Sequence, residues 1–112
     1  MDMTALALAR PRDAAQWERL LAAASASLWQ QGWAYGAAAA RAGRRVERVV
    51  VTVMDQPVGL AQLVGRMALG GRIGAWSALG GPVWLPGVTA ATATAALVAL
   101  KRRFAAPATS SW

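Results

Sequence analysis

The segment "VERVVVTVMD" over 46–55, with an unbroken run of β-branched residues at 49–53, decides much of the architecture of this 112-residue chain. Side chains branched at Cβ pack well on a pleated surface, so the run predicts a strand. "DQP" follows as a turn, "VGLAQLVGRM" predicts a second strand, and "RIGAWSAL" after "LGG" predicts a third. The spacing of these segments therefore predicts an antiparallel meander of three strands.

Alternation within the strands predicts which side chains share a face of the sheet. One face of the first strand takes Val49, Val51 and Val53, and the other takes Val50 and Thr52. The second strand is expected to place four residues on one face: Val58, Leu60, Gln62 and Val64.

Helical patterns flank the meander. Asp13 with Gln16 forms a capping-box pattern ahead of a helix over 13–26. A second helix is expected over 29–42, with Gly43 as its C-terminal cap. A final helix over 88–105 carries an apolar stripe of Ala93, Leu97, Leu100 and Phe104.

With "TALALA" as a short first strand, the element order is β-α-α-β-β-β-α, an α/β (α+β) pattern. The length favours a single domain over 1–112, and residues 107–112 are expected to form a loose tail. The longest apolar run, 88–100, is too short for a membrane-spanning helix, and the N-terminus lacks the pattern of a signal peptide. We therefore expect a cytoplasmic protein.

The composition excludes several kinds of chemistry. The chain has no Cys and no His. Disulfides and thiolate catalysis are therefore impossible, a Ser-His-Asp triad cannot form, and no metal site is predicted. The five acidic residues show no two carboxylates placed for acid–base catalysis, so the sequence assigns no catalytic residue.

The formal net charge is +7, and the cations form two clusters, "RAGRRVER" over 41–48 and "KRR" over 101–103. Such a balance favours polyanionic partners such as RNA or an anionic surface. The alternative is that the clusters are solvated ends of secondary-structure elements, where Lys and Arg also complement a helix dipole.

Three blocks in order, "WQQGWAYGAAAARAGRRVERVVV", "QPVGLAQLVGR" and "GGPVW", resemble the amino-terminal part of the FemAB-like family. Members of this family are aminoacyl or acyl transferases related to formation of the peptidoglycan interpeptide bridge. The similarity covers about residues 15–105. Gly32 and Gly80 stand where the family usually has a serine and an arginine, so any substrate contact by that arginine is lost here.

The resemblance implies an incomplete GNAT-like domain, comprising the first half of that fold. It implies an acyl donor or an aminoacyl-tRNA, a peptidoglycan precursor as acceptor, and completion by a second GNAT-like half or a homodimer. The resemblance also implies that this chain has no transferase activity by itself. In "GGPVWLPG" two prolines remove donors that would hold a pyrophosphate at a helix N-terminus, which argues against acetyl-CoA, and no cofactor is predicted.

Six residues are candidates for contact with substrate, on their positions in these blocks: Tyr35, Gln62, Trp76, Gly81, Pro82 and Trp84. Trp33 shares a stripe with Trp29 and is expected in the core, whereas Tyr35 lies off that stripe and is the better groove wall. The alternative for Gln62 is a structural amide whose hydrogen bonds are satisfied within the fold, and the alternative for Gly81 is a turn without function. The competing hypothesis for the whole chain is a non-enzymatic basic domain that binds RNA or an anionic surface.

Overall fold

The computed structural model describes residues 5–24, 29–67, 73–78 and 81–104, which form a mixed α+β fold with an antiparallel sheet. The elements in chain order are β1 (Leu6–Ala9), α1 (Ala14–Ala23), a 3₁₀ turn (Trp29–Gln31), α2 (Trp33–Arg41), β2 (Arg45–Val53), β3 (Gln56–Met67), β4 (Ile73–Ser77), β5 (Val83–Trp84) and α3 (Ala90–Phe104).

The sheet has the strand order β1-β2-β3-β4, with β5 paired to β3, and all pairs are antiparallel. The meander of β2, β3 and β4 is thus confirmed. The predicted order lacked β5, a two-residue strand among turn-forming residues that is too short to show any alternation. The tail at 107–112 lies outside the described residues.

One face of the sheet is covered by α3. Val49 and Val51 of β2 lie with Ala61 and Leu63 of β3 in a buried cluster against this helix. The residues that α3 contributes to this cluster are Ala96, Leu100 and Phe104. The predicted stripe is partly wrong, because Leu97 is 40% exposed while small Ala96 and Thr92 are buried.

The opposite face is covered by α1 and the start of α2. Trp17 of α1 is fully buried against Val50, Leu60 and Val83. The Val50 side chain therefore lies on the face of the sheet opposite to that of Val49 and Val51, as the alternation of β2 predicts. The start of α1 is capped as the sequence predicts, because the Asp13 side chain accepts the Gln16 N–H at 2.7 Å.

Two details of the prediction are wrong for local reasons. Val58 packs on the α3 side, whereas Leu60 packs against α1, because the register between β2 and β3 shifts and leaves Val58 as an extra residue in a β-bulge. The second helix begins at Trp33, because Trp29–Gln31 forms a 3₁₀ turn in which Trp29 is 71% exposed.

Gly43 ends that helix at φ +89°, as predicted.

No helix within the described residues is long and apolar enough to cross a membrane.

Candidate functional site

A buried glutamine on β3 organises the polar contacts on the α1–α2 face of the sheet. The Gln62 side chain is almost fully buried. Its Oε1 accepts the Nε–H of Arg48 at 2.7 Å, and its Nε2 donates to the carbonyls of Gln30, at 3.1 Å, and Gly32, at 2.9 Å. Both ends of the amide are satisfied, so Gln62 fixes the chain leading into α2 to the sheet.

A second glutamine takes the place of a strand. On the outer side of β3, the pairing with β4 stops at Val64 and the pairing with β5 begins at Leu60. Between them the Gln31 side chain accepts the Gln62 backbone N–H at 2.7 Å and donates to its carbonyl at 3.2 Å. The buried Trp17 indole donates to the Gln31 carbonyl at 2.7 Å, so one residue joins α1 to the sheet.

Two glycines leave the space that the side chains of Gln31, Gln62 and Arg48 occupy. A Cβ on Gly81 would lie 2.7 Å from Cδ of Gln31, and a Cβ on Gly36 would lie 2.8 Å from Nη2 of Arg48. Real Cβ atoms essentially never come this close to another heavy atom. Glycine is therefore required at both positions while the glutamines stay where they are.

Arg48 adds a positive charge to this otherwise neutral network. Its Nη2 donates to the Trp33 carbonyl at 3.0 Å, and its guanidinium carbon lies 3.5 Å from the centroid of the Trp33 ring. Burial lowers the pKa of the Arg48 guanidinium from its ordinary value, although an arginine remains protonated. Every contact of the guanidinium in the described part of the chain is with a neutral group.

A groove of about 200 Å³ opens beside this arginine. It is lined by Arg10, Pro11, Trp33, Val46, Glu47 and Arg48. Glu47 therefore adds one carboxylate to the groove, between the positions of Val46 and Arg48. The groove thus combines two cations, one carboxylate and an aromatic ring, and its net positive charge suits an anionic group.

The structure brings some of the predicted substrate-contact residues together and separates others. Gln62 lies at the centre of the network, and Gly81 contacts Gln31 in the segment between β4 and β5, where Pro82 also lies. Tyr35 instead packs edge-on against exposed Trp29, with ring centroids 5.1 Å apart.

The two remaining candidates lie on the α3 face. Trp76 packs edge-on against Phe104 at 5.3 Å, and Trp84 covers Gly59. Both tryptophans pack against the cluster under α3, so they face away from Arg48 and Gln62. Trp33, which the sequence predicts in the core, is half-buried and also lines the groove.

Sequence reasoning missed three residues of this region. It counted Arg48 only as part of a basic cluster and gave Gln31 and Arg10 no role. Arg48 had a detectable pattern, because it alternates with Val46 and Val50 and therefore occupies an inward-facing position of the clearest strand. Gln31 and Arg10 had none, since their positions depend on the tertiary arrangement.

Metal binding and helix-terminal anion binding find little support in the described part of the chain. No three acidic side chains gather there in a way that could hold a metal ion. The start of α3 is capped internally, because Thr89 Oγ1 accepts the N–H of Thr92 at 3.1 Å.

Comparison of the chain with protein-family models, with curated proteins and with solved structures finds no match.

Proposed function

We propose that this chain is the substrate-binding portion of a FemAB-like aminoacyl or acyl transferase, acting in peptidoglycan bridge formation or a related N-acyl transfer. Its donor would be an aminoacyl-tRNA or another activated acyl group, and its acceptor a peptidoglycan precursor. The described residues offer binding groups, and the proposal therefore concerns recognition of substrate by this chain and assigns it no catalytic group.

The observation that carries the proposal is the meeting of the three sequence blocks in space. The first block supplies Gln31 and Gly36, the second supplies Gln62, and the third supplies Gly81. Gln31 bonds the backbone of Gln62 and packs on Gly81, while Gly36 packs on the Gln62 amide. Residues far apart in sequence thus depend on one another, as expected of motifs that build a single site.

The sheet also has edges where a partner could add. Within the described residues, β1 and β4 are each paired on one side only. Unpaired N–H and C=O groups at such an edge are a template for another strand. A second GNAT-like half or a second copy of the chain is the partner that this proposal would place there.

A second candidate function rests on a different observation, the exposed cations. Arg41, Arg44 and Arg45 are exposed at the junction of α2 and β2, and three more cations are exposed in the last turn of α3. Together with the net charge of +7, these clusters favour a basic domain that binds RNA or an anionic surface without catalysis.

Binding measurements with the full chain separate the two functions. The ligands are a soluble muramyl pentapeptide, an aminoacyl-tRNA and the same tRNA without its amino acid. A transferase portion should bind the peptide saturably and should prefer the aminoacylated tRNA. The double variant Arg102→Gln/Arg103→Gln is the control, since it removes charge far from the network and should leave peptide binding unchanged.

The alternative outcome is equally specific. A basic binding domain should bind both tRNAs equally, with an affinity that falls steeply as salt rises, and should ignore the peptide. The double variant should then weaken tRNA binding. Failure to bind the peptide, combined with equal binding of the two tRNAs, would overturn the transferase proposal.

A further inference from the structure

The groove beside Arg48 contains a guanidinium that forms no ion pair within the described residues, although Glu47 also lines the groove. The guanidinium uses Nε and Nη2 for its bonds to Gln62 and Trp33, and Nη1 donates to no group in the described part of the chain. Glu18 accepts the Trp33 backbone N–H at 3.4 Å and takes no bond from the arginine. The half-buried guanidinium thus keeps donor capacity at Nη1, and an anion that reached it would gain a charge-assisted hydrogen bond.

A second cation lies on the same groove. Arg10 directly follows β1, whose last residue, Ala9, pairs with Val50 of β2. The antiparallel register therefore brings Arg10 alongside the part of β2 that carries Arg48. The Arg10 side chain is exposed and takes no part in the network around Gln62. Neither arginine is paired with Glu47 within the described residues, so the two cations give the groove a net positive charge that an anion would offset.

The size and rigidity of the groove limit the ligand. Its volume, about 200 Å³, is below the ~300–1,000 Å³ of pockets for drug-sized molecules, so it suits one small group. The bonds to Gln62 and Trp33 fix the planar guanidinium over the Trp33 ring. A fixed guanidinium matches the geometry of planar or tetrahedral oxyanions and loses little entropy on binding.

We infer that the groove between Arg10 and Arg48 is a binding site for one oxyanion, the carboxylate or phosphate group of a small ligand. Arg48 is the fixed donor and Arg10 the mobile second cation. The inference goes beyond the proposed transfer function and does not depend on it, because the site requires only these two arginines and Trp33.

The test is a titration of the ¹⁵N-labelled full chain, observed by NMR at the Arg48 Nε–H and the Trp33 indole N–H. Sodium phosphate and sodium acetate are added in separate titrations, with NaCl adjusted to keep the ionic strength constant. We expect saturable shifts at both reporters with at least one of the two anions. Phosphate alone indicates a phosphorylated ligand, acetate alone a carboxylate ligand, and both indicate a general oxyanion site.

Two substitutions of exposed arginines make the result specific. Arg10→Gln should weaken binding by roughly fivefold without lowering the melting temperature, since this arginine is outside the network. Arg102→Gln removes the same charge at the end of α3 and should leave the affinity unchanged. Linear, unsaturable shifts with both anions would overturn the inference. Equal weakening by the two substitutions would also overturn it, since it would show an effect of net charge alone.

Discussion

At the scale of single residues, the network around Gln62 requires a glycine at one position as well as the polar side chains that form its hydrogen bonds. A Cβ on Gly36 would lie 2.7 Å from Cδ of Gln62 and 2.8 Å from Nη2 of Arg48. The two polar groups bond to each other at 2.7 Å, so neither moves without losing this partly buried hydrogen bond. The requirement for glycine in the middle of a helix therefore comes from a neighbouring strand.

Replacement of this glycine tests how rigid the network is. Gly36→Ala should lower the free energy of unfolding by about 2 kcal/mol, because overpacking outweighs the gain in helix propensity. Urea denaturation gives the value. Ala38→Gly, at an exposed position of the same helix, is the matched control for propensity and should cost about 1 kcal/mol. If Gly36→Ala instead stabilised the protein, the neighbouring groups would be free to move aside.

At the scale of elements, the outer edge of β3 is covered by two strands and a side chain. The Gln31 amide presents one donor and one acceptor to Gln62, which is what a neighbouring strand residue would present. The backbone of Gln62 is thereby satisfied where β4 and β5 are interrupted. An interruption that would otherwise weaken the sheet becomes the point where the chain before α2 is attached.

A substitution of Gln31 by its acidic analogue makes this attachment sensitive to pH. A neutral carboxyl can donate to the Gln62 carbonyl and accept its N–H, whereas a carboxylate cannot donate and would be buried with its charge. The folded state of Gln31→Glu should therefore raise the pKa of the introduced group above the ordinary value of about 4.3. Stability should be close to that of the parent below this pH and should fall as pH rises toward the raised pKa.

Urea denaturation at about pH 4 and pH 7, with the parent subtracted at each pH, measures the effect. We expect the variant to lose about 1.4 kcal/mol for each unit by which the pKa is raised. Gln31→Leu is the control, since it removes the hydrogen bonds at every pH and should show a constant loss. A Gln31→Glu loss that does not change with pH would contradict the proposed pairing.

The elements also show how far sequence reasoning reaches. β2 and the Asp13 cap were predictable because β-branched residues and local hydrogen bonds specify them within a few positions. The bulge at Val58 and the two-residue β5 were not, because both depend on pairing with distant residues. The same reason explains the site: Gln62 could be identified as a polar residue on an apolar face, but its partner Gln31 could not.

At the scale of the whole molecule, positive charge is distributed without compensation. Within the described residues no acidic and basic side chains form an ion pair, and most cations are exposed. They concentrate at the start of β2 and at the end of α3, while the network around Gln62 contributes one further, half-buried charge. A compact state with a net charge of +7 is opposed by its own repulsion, which unfolding relieves.

Screening of this repulsion should stabilise the fold. Raising NaCl from ~10 mM to ~300 mM shortens the Debye length from about 30 Å to well under 10 Å. The melting temperature of the full chain, followed by circular dichroism, should therefore rise by several degrees, where about 1 kcal/mol corresponds to ~4–8 °C for a domain of this size.

A charge-reduced variant distinguishes repulsion from other effects of salt. Arg19→Gln/Arg45→Gln removes two exposed cations that lie outside the last turn of any helix and leaves Arg10 and Arg48 in place. It should melt higher than the parent at low salt and gain less from added salt, because less repulsion remains to be screened. If salt lowered the melting temperature of the parent, attractive charge contacts would dominate, and the uncompensated surface inferred from the fold would be wrong.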